Sequence, residues 1–300
     1  MGILHHVASV LLLGASASGW EQQRRQLQTV DLDVSAQQLV DILLDSSAFA
    51  TSNVALDCPV LSFGAVTFDG SIHAFVDLGI GDGENIVLST GNATEVEEII
   101  NDSGSTSTVT GGGADADVSA ATGSPTFDAC SLSFDVVSSM PATVTFSYIF
   151  MSEEYNEFVG AGFNDGFLLL VDGENVATLA DGENVAIDNI NNDVNAAMYN
   201  DNGEANSDNF FTEYDGFTNL LETSPFDLEA GIRSTIRIVI ADAGDASFDS
   251  SLVLQGGSFS NGKDYSLSLQ CPEVFVVVMS GDRRPAPAYV PAIPRKIPRA

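Results

Sequence analysis

The chain has 300 residues, 44% of them hydrophobic, and a formal net charge of −32. That is enough apolar material for one large domain or two small ones. The charge repels nucleic acid and anionic membrane surfaces and attracts divalent cations, and it also fits a solvated acidic surface.

Charge is unevenly spread. Arg24 and Arg25 lie near the start, and five of the ten basic residues follow Ser280. Between Gln26 and Ser280 only Arg233, Arg237 and Lys263 are basic. Histidine is scarce as well. His5 and His6 fall in the first few residues, which leaves His73. It stands in Ile72-His73-Ala74-Phe75-Val76 and reads as a half-buried strand residue, so a Ser-His-Asp or Cys-His mechanism would rest on one side chain. No Cys/His spacing suits zinc.

Residues 7–14 form a short apolar run, and Ala15-Ser16-Ala17 is a small-x-small cleavage pattern. Residues 1–19 are therefore expected to be a secretory signal peptide and residues 20–32 a linker. Secretion permits disulfides. Cys58, Cys130 and Cys271 allow one bridge in three pairings,. Cys58–Cys130 is the expected pair because both lie in the domain proper. Asn92 and Asn101 begin N-x-[ST] sequons in a Ser/Thr/Gly-rich region that reads as exposed, and both are glycosylation candidates,.

Ser35 and Gln38 fit a capping box, and Leu39, Val40, Leu43 and Leu44 then give a helical apolar stripe. This short helix is expected at a sheet edge. From Val54 the pattern is strands: residues 60–68 and 72–78 joined at Asp69-Gly70, then 86–88. Residues 102–123 are rich in Ser, Thr, Gly and Ala and read as a long loop or mobile insertion.

Leu132, Phe134 and Val136 alternate, as do Val144, Phe146, Tyr148 and Phe150, the period that places side chains on one sheet face. A polar run follows, Ser152-Glu153-Glu154-Tyr155-Asn156-Glu157. The chain returns to a strand at residues 167–171 and turns at Asp172-Gly173, a strong hairpin signal. Val185, Ile187 and Ile190 are expected to point inward from an Asn/Asp-rich stretch. Ile236, Ile238 and Ile240 form the clearest late strand, with Arg237 and Val239 on its other face. It ends in a polar loop carrying Asp242, Asp245 and Asp249. Residues 274–279 are too short to span a bilayer, and residues 283–300 read as a basic, Pro-rich tail. Many short strands with turn residues between them predict an all-β fold, a jelly-roll-like sandwich with a short N-terminal helix and long polar loops.

Several blocks, taken together and in order, resemble the choice-of-anchor L domain. They are Ala36-Gln37-Gln38-Leu39, Asn85-Ile86-Val87-Leu88-Ser89-Thr90-Gly91, Phe150-Met151-Ser152-Glu153-Glu154-Tyr155-Asn156-Glu157-Phe158-Val159, Asn164-Asp165-Gly166-Phe167, Tyr214-Asp215-Gly216-Phe217-Thr218 and Ile240-Ala241-Asp242-Ala243-Gly244-Asp245. The resemblance covers residues 33–260, leaving 261–300 as a C-terminal extension. It implies an extracellular β-sandwich carried by proteins with varied surface anchors, and it implies little chemistry. After Ser260 this chain shows neither a hydrophobic anchor helix nor a sorting motif.

Calcium takes six to eight hard oxygen ligands. Glu153, Glu154, Asn164, Asp165, Asp242, Asp245 and Asp249 all lie on loops next to core strands, and loops at one end of a sandwich converge. They are the candidate calcium ligands; the bland alternative is that each caps a turn. Tyr155, Tyr214 and Asp215 are candidates for contacting a ligand. The expected function is a secreted, non-catalytic binding or adhesion module supported by Ca2+, with a glycan, matrix or cell-surface protein as partner. The alternatives are a glycoside hydrolase using two carboxylates, drawn from Glu153 or Glu154 with Asp215 or Asp242, and a structural matrix protein that binds cations collectively.

Overall fold

The structure is a computed structural model, and it describes residues 30–44, 48–68, 78–81, 83–97, 101, 103–203, 210 and 212–259. The expected signal peptide, His73, Cys271 and the C-terminal extension lie outside the described residues. The strands are β1 (Val30–Asp31), β2 (Phe49–Asp57), β3 (Phe63–Thr67), β4 (Glu84–Ser89), β5 (Thr126–Ser138), β6 (Ala142–Val144), β7 (Ser147–Ser152), β8 (Gly166–Val171), β9 (Glu174–Asn175), β10 (Tyr199–Asp201), β11 (Gly216–Thr218), β12 (Leu221–Glu222), β13 (Phe226–Leu228), β14 (Arg233–Ala243) and β15 (Ser250–Leu254). Two helices accompany them, α1 (Ala36–Leu43) and α2 (Ala116–Thr122).

Among the described residues, sheet one runs β1-β3-β4-β15-β7-β11-β10, with β12 also on β7. Sheet two runs β2-β5-β14-β8-β9, and β13 and β6 form a separate pair. The ladders are antiparallel, so the chain is an all-β sandwich.

Alternation decides what faces the interior. Ile86 and Leu88, Tyr148 and Phe150, and Leu252 and Leu254 point in from sheet one; Leu132, Phe134, Val136, Phe167, Leu169, Ile236, Ile238 and Ile240 meet them from sheet two. The intervening residues are not solvated. Val87, Ile149, Met151 and Val253 build a second core on the outer face of sheet one with Tyr214 and Phe217. Leu168, Leu170, Val239 and Ala241 build a third on the outer face of sheet two, covered by Val118 of α2. Strands buried on both faces explain the near-continuous apolar runs at residues 147–151 and 166–170,.

Helix α1 has the capping box read from its sequence. Gln38 N donates to the Ser35 hydroxyl (3.3 Å), and Ser35 N donates to Gln38 Oε1 (2.9 Å). It buries Leu39, Val40 and Leu43 against strands β2 and β4, one from each sheet. At the C-terminal side of the domain Phe259 N donates to Leu43 O and Gly257 N to Ile42 O, so the last described residues lie beside α1. The hairpin at Asp172-Gly173 forms as the sequence predicts, joining β8 to β9 with Val171 opposite Glu174. Both turn residues have positive φ, 51° and 90°, as a two-residue hairpin requires,. Cys58, just past β2, is bridged to Cys130 on β5.

Two expectations are corrected. Residues 60–62 are not strand: Val60 is 80% exposed and β3 begins at Phe63. Residues 102–123 are not one long loop. Asp115 caps α2 through bonds from Asp117 N and Val118 N, and Gly123 ends it with φ 74°. Both signals are in the sequence, but a Gly/Ser/Thr-rich setting hides a seven-residue helix,.

Candidate functional site

Four strand ends meet at one end of the sandwich. Ser250, which opens β15, pairs with Ser152, which closes β7; Gly166, which opens β8, pairs with Ala241 near the end of β14. Each strand carries an acid there: Glu153 and Glu154 after β7, Asp165 before β8, Asp242 on β14 and Asp249 before β15. A register shift in the β14–β5 ladder, between Ile240 and Asp242, marks the place,. A hydroxyl chain ties the sheets together: the Ser250 hydroxyl bonds Ser152 Oγ (2.8 Å) and donates to Asp165 Oδ2 (2.7 Å).

These carboxylates are buried, not solvated. Glu153, Glu154, Asp165, Asp242 and Asp249 are each 1% exposed, and Asp215 is 2% exposed. Asp245 lies outside, bonded by Ser247 N, and Asn164 accepts a bond from Asp188 N (2.9 Å) without joining the buried group. The expected cluster thus has a buried interior and two members at its rim.

Residues 103–113, expected as part of a long loop or mobile insertion, run over the cluster as a strap. Three alternate backbone N–H groups donate to three acids: Thr106 N to Glu153 Oε2 (3.1 Å), Thr108 N to Asp249 Oδ2 (2.8 Å) and Thr110 N to Asp128 Oδ2 (3.2 Å). The Thr106 hydroxyl adds a bond to Glu213 (2.8 Å). The period of two in Thr106, Thr108 and Thr110 was the available signal. Asp128, Glu213 and Glu95 are buried acids here that the sequence reading did not select. Gly91 is also part of the arrangement, since a Cβ there would overlap the Asp249 carboxylate.

Buried carboxylates need partners. Several oxygens have none: Glu153 Oε1, Glu154 Oε2, Asp249 Oδ1 and both oxygens of Asp242. Asp165 and Asp242 lie close enough to share a proton. The Thr90 hydroxyl beside Asp242 donates to Ser250 O instead. Nor do the described residues supply a cation. The basic side chains among the described residues are Arg233 and Arg237, and they pair with Asp135, Asp115 and Asp117.

The electrostatic result follows from burial first and like charge second. Burial, then the charges of Asp215, Glu213 and Glu95, pushes Glu153 up to about 10. Burial, then Asp165 and Asp245, pushes Glu154 up to about 9. Burial raises Asp165, Asp215 and Asp249 to about 7 and carries Asp242 well above its ordinary range. The cluster is short of positive charge, which a proton or a metal ion could supply. Among the described residues, no group of three or more His, Cys, Asp or Glu side chains is already arranged at metal-bonding distances.

The other expected site residues are redistributed. Tyr155 and Tyr214 are fully buried, so neither ring can stack on a ligand. The Tyr155 hydroxyl donates to Ile190 O (2.7 Å), and that of Tyr214 bonds Ser251 Oγ (2.6 Å). Asp215 accepts a bond from the Asn101 amide, which also donates to Asn202 O. Asn101 is therefore interior, and the nitrogen a glycan would occupy is engaged in the fold; Asn92 is half-buried. The acids named for hydrolysis, Glu153, Glu154, Asp215 and Asp242, are buried to 1–2% exposure.

An antiparallel sandwich with its polar side chains drawn into one loop end defines an all-β module. Residues 28–260 match the choice-of-anchor L domain, and the chain belongs to that family. It is accordingly an extracellular or cell-surface module. No helix among the described residues is long and apolar enough to cross a membrane. Comparison with curated proteins and with solved structures returns no match.

Proposed function

We propose that this domain is a non-catalytic binding or adhesion module whose loop end is held in shape by calcium. The observation that carries the reading is the group of buried carboxylate oxygens without donors on Glu154, Asp242 and Asp249, beside Asp165, in a region that no basic side chain among the described residues reaches. Calcium is the physiological cation that suits such a set, because it takes several carboxylate and neutral oxygens in adaptable geometry. Glu154, Asp165, Asp242 and Asp249 would hold it, with Asp245 at the rim.

An ion there would neutralise the end of the sandwich and fix the strap above it. Val109 stands out from the strap at 70% exposure, and Val60 and Leu61 are exposed on the loop whose Leu61 carbonyl bonds Ala93 N. These apolar side chains beside an acidic rim suit a protein partner on a matrix or cell surface better than a glycan, since Tyr155 and Tyr214 are not available for stacking.

The test is calcium titration by calorimetry, with thermal unfolding in calcium and in chelator. Saturable, stoichiometric binding that raises Tm and weakens in Asp242→Asn supports the reading. Many weak equivalents with no change in Tm would instead indicate a collective acidic surface, and the calcium-supported module would be abandoned.

A further inference from the structure

Resting on that reading, we infer that a second, separate site for a hard divalent cation of the calcium class lies on the other side of the β7 terminus, formed by Glu153, Glu213 and Asp215 with the neutral oxygens of Asn202 and Thr212.

Glu153 and Glu154 are neighbours in the bend that follows β7, and their side chains meet different surroundings. The acids around them separate accordingly. Glu153 is surrounded by Asp215, Glu213 and Glu95, and Glu154 by Asp165 and Asp245. The two groups share no member.

The second group is held by its own hydrogen bonds. Thr106 joins Glu153 to Glu213, donating its N–H to one and its hydroxyl to the other. Asn202 N donates to Asp215 O (2.8 Å), and Glu213 N to Glu95 O (3.3 Å). The Asn202 amide nitrogen donates to Thr212 O (3.1 Å) and Tyr214 O (2.9 Å), on either side of Glu213.

A second observation does not depend on the acids. Asn202 and Thr212 are 0% exposed, and Asn202 Oδ1 and Thr212 Oγ1 have no hydrogen-bond partner. Glu153 Oε1 is a third such oxygen in the same group. An interior amide and an interior hydroxyl, both in van der Waals contact with protein and neither satisfied by it, are the neutral donors that calcium sites combine with carboxylates. The mixture distinguishes this group from a mere concentration of charge.

Native mass spectrometry of the full chain with calcium counts the ions, and calorimetry assigns them. Two bound ions are expected. Glu213→Gln should weaken one of them at least tenfold and leave the other, and Asp242→Asn should do the reverse. The wild-type count alone decides the matter if either variant fails to fold. One ion, lost in Asp242→Asn and kept in Glu213→Gln, would overturn the second site and leave the proposed function standing. No stoichiometric ion would overturn both.

Discussion

Asp115 and Asp242 are both buried aspartates of the same sandwich, and they are treated in opposite ways. Asp115 caps α2 on the outer face of sheet two. Burial works to raise its pKa, but the Arg237 guanidinium and the N–H groups of Val118 and Asp117 overcome that and hold it below the usual range. Asp242, at the loop end, has burial and the charge of Asp165 acting together, and its pKa rises. The difference lies in what surrounds each carboxylate: the described basic residues are spent on the outer face of sheet two, and the loop end has none. Among the described residues the cations are used at one place, and under the proposed function the other takes its positive charge from solution.

The comparison can be broken most directly by chelation. If the loop end holds an ion, removing it should cost about 2.7 kcal/mol relative to calcium at a hundred times Kd. Thermal unfolding measures this, and equal Tm values with and without chelator would end the contrast. In chelator the pH dependence should also be unusual. Carboxylates whose folded pKa lies above the unfolded value contribute stability that is complete below about pH 4 and lost as pH rises through the folded pKa. For Asp165, Asp215 and Asp249 at about 7, Glu154 at about 9 and Glu153 at about 10, Tm should fall steadily from pH 5 to 9. Calcium should flatten that slope.

Asp242→Asn should sharpen the contrast by changing sign with conditions. In chelator it removes a buried carboxyl that is short of hydrogen-bond donors and should stabilise by about 1–3 kcal/mol,. In saturating calcium it removes a ligand and should destabilise. Paired melts test this, and the same sign in both would show that Asp242 is not a ligand. Gly91→Ala should destabilise the sandwich by about 1–3 kcal/mol while displacing the Asp249 carboxylate and lowering calcium affinity at least tenfold,. Unchanged affinity would remove Asp249 from the site.

The smallest effect is expected at the paired end. Arg237→Ala should cost about 1 kcal/mol, the scale of a partly exposed ion pair, without altering calcium binding. Asp115 has a lowered folded pKa, so its contribution is present above the unfolded value and is lost as pH falls through the folded one,. The Arg237→Ala penalty should therefore fade in acid. A penalty that is constant down to pH 2 would mean that Arg237 acts by packing alone.

The sandwich was legible because strand periodicity is local. Leu132, Phe134 and Val136 declare their face from sequence, as Ser35 and Gln38 declare a helix start. Glu153, Glu154, Asp165, Asp242 and Asp249 were legible as acids of one loop end because loops at one end of a sandwich converge. Their burial was not, since polar side chains after a strand look the same whether they meet solvent or a covering segment. That cover, residues 103–113, holds its place by backbone N–H groups, which every sequence has. Tyr155 and Tyr214 misled for a related reason: a tyrosine flanked by acids resembles a surface residue until distant parts of the chain, Ile190 and Ser251, are seen to take its hydroxyl.

Helix α1 and Phe259 lie side by side, at the end of β15 away from Asp249. The last described residues thus return to the first helix, at the end of the sandwich opposite the acids. Tension drawn on Phe259 would load its contact with Leu43 and Leu44, and the acidic end, at the other end of β15, would lie off that line of force.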